Sequence, residues 1–262
     1  RRDVKMIVQH LQEDRAILFV PATGRHWNMC PWFQNREIAT EYMIANNGSV
    51  LVRFNRKRLK YEPIKELFFD PQLSDRFLLA IDALGMSAGC VTDQPQYFVG
   101  NRLFFSHVDL WNRVLLLHHD QLTNKLMSNS KVYQWTVLSK PCDIHRVKAL
   151  IRKLTDRQCK IYVHSQRRPW NVIDINPLQS DKWYMAQKIC DLERINRQQV
   201  MAIGNGENDM EMIKHAAVGV CPSTSPQQVL ALADIIFTWN LSQGLVSFFT
   251  NYFGQESNDR LD

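Results

Sequence analysis

The spacing of apolar side chains changes several times along the chain, and each change marks an element. Val4, Ile7, Val8 and Leu11 fall on one face of a helix predicted over residues 4–13. Ala16, Ile17, Leu18, Phe19 and Val20 form an unbroken apolar run, the pattern of a strand covered on both faces in a parallel sheet. Pro21 to Arg25 reads as a turn. Another helix is expected to end near Ala39, and Tyr42 to Ala45 reads as a second strand closed by Asn46-Asn47-Gly48. Helix, strand, loop, helix, strand is an α/β order, with loops at strand ends of a size that suits phosphate.

The middle of the chain is different. From about Tyr61 to Trp170 the alternation is lost. Val132 to Leu138 alternates like a half-exposed strand. Ile144, Val147, Leu150, Ile151 and Leu154 trace a helix within 143–154, and Lys160 to His164 reads as another strand. This is an α+β insert. After Asp174 the α/β rhythm returns, with a helix over Trp183 to Leu192 and a strand at Val200 to Ile203. A helix over Met210 to His215, a short strand at Val218 to Val220, a helix over Pro226 to Ala233 and a last strand at Ile235 to Phe237 complete it.

Composition narrows the class. The chain has 262 residues, 45% of them hydrophobic, enough for a sizeable core and more than one compact unit. Apolar runs such as Val114 to Leu117 and Val246 to Phe249 are too short to span a bilayer, and no membrane partner is expected. The start carries no secretory signal, and it opens on Arg1 rather than Met. Six cysteines without a CxxC pair argue against a zinc knuckle and a dense disulfide framework. They read as small buried hydrophobes in a reducing, cytoplasmic setting. The net charge of +6 and pI of about 9.0 allow a nucleic-acid surface or an anionic small substrate. The basic stretch Arg53 to Lys60 reads as a solvated hairpin: Val50 to Phe54, a turn at Asn55-Arg56-Lys57, and a return. No aromatic-and-glycine RNA signature accompanies it, so nucleic acid is not the expected partner.

The candidate chemistry lies at the predicted strand ends. Gly204-Asn205-Gly206-Glu207-Asn208-Asp209 follows a strand and opens a helix, which places acidic and amide groups where they can hold a cation beside a phosphate. This stretch resembles the fourth motif of the haloacid dehalogenase-like (HAD) superfamily, in the GDGxND form of its Cof-type sugar-phosphate phosphatases. Val20-Pro21-Ala22-Thr23-Gly24-Arg25 resembles the second motif, a strand ending in ATGR. Ile44-Ala45-Asn46-Asn47-Gly48 resembles the next strand end, and Ser180-Asp181-Lys182 the third motif. Ala233-Asp234-Ile235-Ile236 through Gly244-Leu245-Val246 resembles the closing strand and helix. Singly, each has a plain structural role: Thr23 as a helix cap, Lys182 as a solvated cation, Asn47-Gly48 as a turn. Together and in order they carry the resemblance, which covers residues 1–50 and 171–262.

The resemblance implies a Rossmann-like α/β core with a mostly parallel sheet, built from 1–60 and 171–262, and an inserted α+β cap of the C2 type over 61–170. It implies a site at the carboxyl ends of the core strands, under the cap. It also implies Mg²⁺-dependent hydrolysis of a small phosphorylated metabolite of the sugar-phosphate class. Thr23, Gly24, Asn47, Lys182 and Asn208 would bind the phosphate, and Asn205 and Asp209 the metal. Cap residues would select the substrate, with His118-His119-Asp120 read first as surface or core residues.

Two departures qualify this. The family's DxDGT motif supplies the aspartate that attacks phosphorus and a second that protonates the leaving oxygen. It belongs upstream of the ATGR strand, where Thr23 leaves no room for it. Val172-Ile173-Asp174-Ile175-Asn176-Pro177 superficially resembles it, but its place before Lys182 is that of the strand returning from the cap; a circular permutation would instead make Asp174 the nucleophile. The second departure is Asn205, where the family has an aspartate that binds Mg²⁺ directly; an amide brings no charge to the cation. Three readings follow: a phosphatase lacking its first strand, a relative that binds a phosphorylated ligand or partner without turnover, and a basic nucleic-acid-binding protein on a borrowed fold.

Overall fold

The computed structural model describes residues 2–14, 16–30, 33, 38–83, 88–93, 97–98, 115–116, 130–140, 143–167, 170–238 and 241–255. It divides into two units, Arg1–Ile64 with Asp181–Asp262, and Lys65–Ser180. The first half contains α1 (Arg2–Asp14), β1 (Tyr42–Ala45), β2 (Val50–Asn55), β3 (Lys60–Glu66), α2 (Pro71–Ala83), β4 (Ala88–Thr92), β5 (Tyr97–Phe98) and β6 (Leu115–Leu116). Next come β7 (Val132–Ser139), α3 (Ile144–Leu154), β8 (Cys159–Arg167), β9 (Trp170–Pro177), α4 (Lys182–Glu193), β10 (Met201–Ile203) and α5 (Met210–His215). β11 (Val218–Pro222), α6 (Gln227–Leu230), β12 (Ile235–Phe237) and α7 (Leu241–Gln255) follow.

In the first unit, β10, β11 and β12 pair in parallel in that order. Successive strand residues point to opposite faces. Met201, Ile203, Val218, Val220 and Ile235 therefore join Leu11 of α1 and Phe248 and Phe249 of α7 in one apolar cluster. Ala202 joins Trp183 of α4 and Met212 of α5 in another, and Cys221 packs with Ile213 and Val229. With helices on both faces, these short strands carry almost no polar residues. A second sheet, β1-β2-β3, holds the basic hairpin, and β1 and β2 pair antiparallel.

The run from Ala16 to Val20, expected as a buried parallel strand, does not form one. Ala16 takes a left-handed backbone conformation (φ 52). The Ile17 N–H turns back to Leu11 O at 3.2 Å rather than to a neighbouring strand. Parallel pairing is confined to the bridge Ala22↔Ile44, where Thr23 N–H donates to Ile44 O at 2.9 Å and Ile44 N–H to Pro21 O at 2.8 Å. Ala16 is exposed and Ile17 to Val20 are half-buried; apolar composition names neither the cover nor the second backbone that a buried ladder needs. After it a 3₁₀ turn, Trp27–Met29, precedes the expected helix, most of which lies outside the described residues. The helix expected over Pro226 to Ala233 is reduced to α6, since Pro226 stands extended before it (ψ 148).

In the second unit, β4, β7, β9 and β8 form an antiparallel sheet in that order. One face carries Cys90, Trp135, Val137, Ile173 and Ile175 against Phe77 of α2 and Val147 and Ile151 of α3. This sheet is richer than the expected strand, helix, strand. β9, expected as the strand leading back to the core, pairs with both β7 and β8 and belongs to this unit. β7 was expected half-exposed, yet every one of its residues is buried. It is an inner strand, and its polar positions are tied together: Thr136 Oγ1 donates to Asp174 Oδ1 at 2.8 Å, and Gln134 Nε2 to Thr136 Oγ1 at 3.3 Å. Alternation gave the faces correctly, but a hydrogen-bonded polar face can be buried too.

No helix among the described residues is long and apolar enough to cross a membrane. Cys30, Cys90, Cys159, Cys190 and Cys221 are free thiols, the first two and Cys221 buried; Cys142 lies outside the described residues. The trio His118-His119-Asp120 also lies outside them.

Candidate functional site

Four loops of the first unit meet through the residues that the motifs singled out. The first is Asn46-Asn47-Gly48 after β1. All three residues take left-handed backbone conformations, with φ of 50°, 54° and 87°. Asparagine and glycine are the residue types that adopt this geometry at least cost. A Cβ on Gly48 would lie 2.2 Å from the Asp181 carbonyl carbon and 2.6 Å from Lys182 N, so the start of α4 can pack directly on this turn. Asp181 fixes that start by accepting the N–H groups of Trp183 and Tyr184 at 2.7 and 3.2 Å, an N-cap.

Asn47 also links two further loops. Its N–H donates to Thr23 O at 3.1 Å, and its side-chain Oδ1 accepts from Asn208 Nδ2 at 2.8 Å. Gly24 is small because it must be: a Cβ there would lie 2.7 Å from Asn47 Oδ1. Thr23 Oγ1 accepts the Arg25 N–H at 3.1 Å, which closes the turn after Val20. Thr23, Gly24 and Asn208 are thereby joined through Asn47, by its backbone N–H and its side chain.

The fourth loop, Gly204 to Asp209, is organised around a single carboxylate. Asp209 Oδ2 accepts the N–H groups of Asn205 and Gly206 at 2.9 and 3.0 Å. Asp209 Oδ1 pairs with Lys182 Nζ at 2.6 Å, and their side chains are 8% and 4% exposed. Each charge offsets part of what the other loses on leaving water. Gly204 permits the fold-back, since a Cβ there would lie 2.3 Å from Asp209 Cβ. Asn205 and Glu207 are exposed at the rim of this loop.

Sequence reasoning named Thr23, Gly24, Asn47, Lys182, Asn205, Asn208 and Asp209; contacts between neighbouring members join these residues in one constellation. It quoted Gly48, Asp181 and Gly204 within the motifs but gave them no part in the site; they make the close approaches and the cap. The signal was in plain view, since each stands beside a named residue. It also passed over His26, next to Arg25. That imidazole is buried, stacked on Trp27 at 3.6 Å between centroids, and accepts the Asn28 N–H at 3.1 Å through Nδ1. Burial lowers its pKa to about 3. Asp174, the alternative nucleophile, belongs to the second unit, where Thr136 and His164 hold its carboxylate.

A family built on Mg²⁺ raises the question of whether these residues fit the ion. A hard divalent cation with near-octahedral geometry is usually held through one or two charged oxygens. Both oxygens of Asp209 are engaged, Asn205 offers a neutral amide, and Glu207 is exposed. Among the described residues no group of three or more His, Cys, Asp or Glu side chains could hold a metal ion. The donor set does not fit a tightly held Mg²⁺.

Helices on both faces of a parallel sheet, with a lysine–aspartate pair at the loop after β10, define an α/β protein. The family model described as haloacid dehalogenase-like hydrolase matches residues 2–249, and the chain belongs to that family. A Bacillus subtilis (strain 168) 5-amino-6-(5-phospho-D-ribitylamino)uracil phosphatase is 30% identical over 108 residues, 41% of this chain. The match spans 40% of that phosphatase's length. A Mycoplasma pneumoniae protein, provisionally named a phosphatase, is 24% identical over 263 residues, covering 95% of this chain and 87% of that protein. The fold is shared with a HAD subclass IIB sugar phosphatase, BT4131 (TM-score 0.77, 17% identity, 97% of this chain and 92% of that one). It is also shared with SMU.1108c from Streptococcus mutans UA159 (TM-score 0.79, 18% identity, 96% and 91%).

Proposed function

We propose that this chain carries the phosphate-recognising part of a HAD-type phosphatase site for a small phosphorylated metabolite of the sugar-phosphate class. Hydrolysis by these 262 residues is impaired. The observation that carries the reading is the buried Lys182–Asp209 pair at 2.6 Å, reached by loops that also contain Thr23, Gly24, Asn47 and Asn208. Lys182 supplies a fixed positive charge, and the Thr23–Gly24 turn supplies the Thr23 hydroxyl and the Gly24 backbone N–H, groups of the kind that bind phosphoryl oxygens. Family chemistry is Mg²⁺-dependent and passes through an aspartyl-phosphate. Here no DxDGT stretch occurs in the sequence, and Asp174 is engaged with Thr136 and His164.

A second reading, a non-catalytic protein that binds a phosphorylated ligand or a partner, is favoured by Asn205, since a neutral amide at a metal position removes charge that turnover would use. One pair of measurements addresses both. A panel of sugar phosphates is offered with Mg²⁺ while released phosphate is recorded, and the same compounds are titrated by calorimetry. Saturable binding with negligible release supports the proposal. Robust release abolished by Asp174→Asn would instead establish the permuted reading. Neither binding nor release would remove the phosphate site altogether.

A further inference from the structure

We infer that anion binding at this site needs no divalent cation: Lys182 supplies the charge that Mg²⁺ would otherwise bring. The inference rests on the phosphate-site reading above. Its ground is the state of Asp209, the one aspartate of the Gly204–Asp209 loop. Its Oδ1 lies 2.6 Å from Lys182 Nζ, and its Oδ2 takes two backbone N–H groups at 2.9 and 3.0 Å. A metal ion on Asp209 Oδ1 would share that oxygen with Lys182 Nζ. It would set a dication beside a buried ammonium, 4% exposed. Like charges brought together out of water are strongly unfavourable.

The rest of the loop does not compensate. Asn205 can offer an amide oxygen without charge, and Glu207 lies exposed at the rim. The positive features are permanent ones. Lys182 is held in place by Asp209, and it opens α4, a helix of 12 residues, so the positive end of the helix dipole adds to its ammonium. Gly48 lets the Asn46–Gly48 turn pack directly on that helix start. A phosphate therefore meets a cation that is already in place, and a second cation is opposed by the first. The ligand class is a phosphate monoester or orthophosphate in its metal-free form.

The test is calorimetric titration of the unmodified chain with orthophosphate, once in EDTA and once in excess Mg²⁺. The two dissociation constants are expected to agree within about twofold. Asn205→Asp, which places a carboxylate at the exposed rim, is expected to create a Mg²⁺ dependence of about tenfold or more, the usual scale for a change in a metal's ligand environment. Binding by the unmodified chain only in Mg²⁺, or tightened tenfold by it, overturns the inference and leaves the phosphate site standing. Absence of binding in both buffers overturns the phosphate-site reading and the inference with it. Direct titration of Mg²⁺ into the unmodified chain provides a second readout: saturable heat at micromolar concentration counts against the inference, and no heat supports it.

Discussion

Two buried aspartates, one in each unit, show how differently a carboxylate can be kept inside a protein. Asp209 is 6% exposed and Asp174 7%. Asp209 faces a lysine that is itself buried and two N–H groups of its own loop. Asp174 sits on the polar face of a sheet, where it accepts from the Thr136 hydroxyl at 2.8 Å and meets His164 Nε2 at 3.1 Å. The His164 side chain is 42% exposed. The first arrangement is a closed pair of fixed charges held by glycine-built loops. The second is a hydrogen-bonded ladder position with a partner open to water. Only the first lies where loops converge.

Substitutions can break this contrast. The largest effect is expected for Lys182→Met, which keeps the volume but leaves the Asp209 charge buried without its cation. Urea unfolding should show a loss of about 3–5 kcal/mol. A loss near zero would mean that Asp209 finds water or another partner. Gly48→Ala is expected to cost at least about 2 kcal/mol, because a side chain at φ 87 is strained and its Cβ meets the backbone of Asp181 and Lys182. Thermal melting measures it, and an unchanged midpoint would show that α4 can shift away.

His26 adds a pH dependence to the first unit. Its folded pKa is about 3 against an ordinary 6.5, so between these values the unfolded chain binds a proton that the folded chain does not. Its contribution to stability is fully present above pH 6.5 and is lost as pH falls toward 3, at about 1.4 kcal/mol per pH unit. Denaturant unfolding of His26→Gln between pH 7 and pH 5 should show a correspondingly shallower decline than the parent. Equal slopes would place the imidazole in contact with water. The smallest effects are expected in the second unit. Thr136→Val should cost about 1–2 kcal/mol through its two hydrogen bonds, to Asp174 and from Gln134, and His164→Gln less than that, since its partly exposed contact is screened. A cost for His164→Gln matching that of Lys182→Met would erase the distinction between the two aspartates.

The element types at both ends were legible because their apolar residues repeat at helical or strand spacing, as in α1, α4 and the β10–β12 sheet. The loops that come together were legible because turn chemistry and acidic or amide groups coincide at strand ends: Thr23-Gly24, Asn47-Gly48, Asn205 to Asp209. The run from Ala16 to Val20 was misread because five apolar residues promise burial without naming a pairing partner. β7 was misread in the other direction, because Gln134 and Thr136 look like a solvated face until Asp174 and Asn176, about forty residues away, complete their hydrogen bonds.

The sequence by itself determined most helices and strands at both ends and the family, because these follow from local spacing and side-chain type. Only the tertiary structure decided which charges meet. Lys182 and Asp209 are 27 positions apart, and Asn47 and Asn208 161 positions apart. Their pairing depends on backbones brought within contact by glycines, a distance that no local pattern encodes. That pairing turns a loop that reads as a metal site into one whose aspartate is already committed to a lysine.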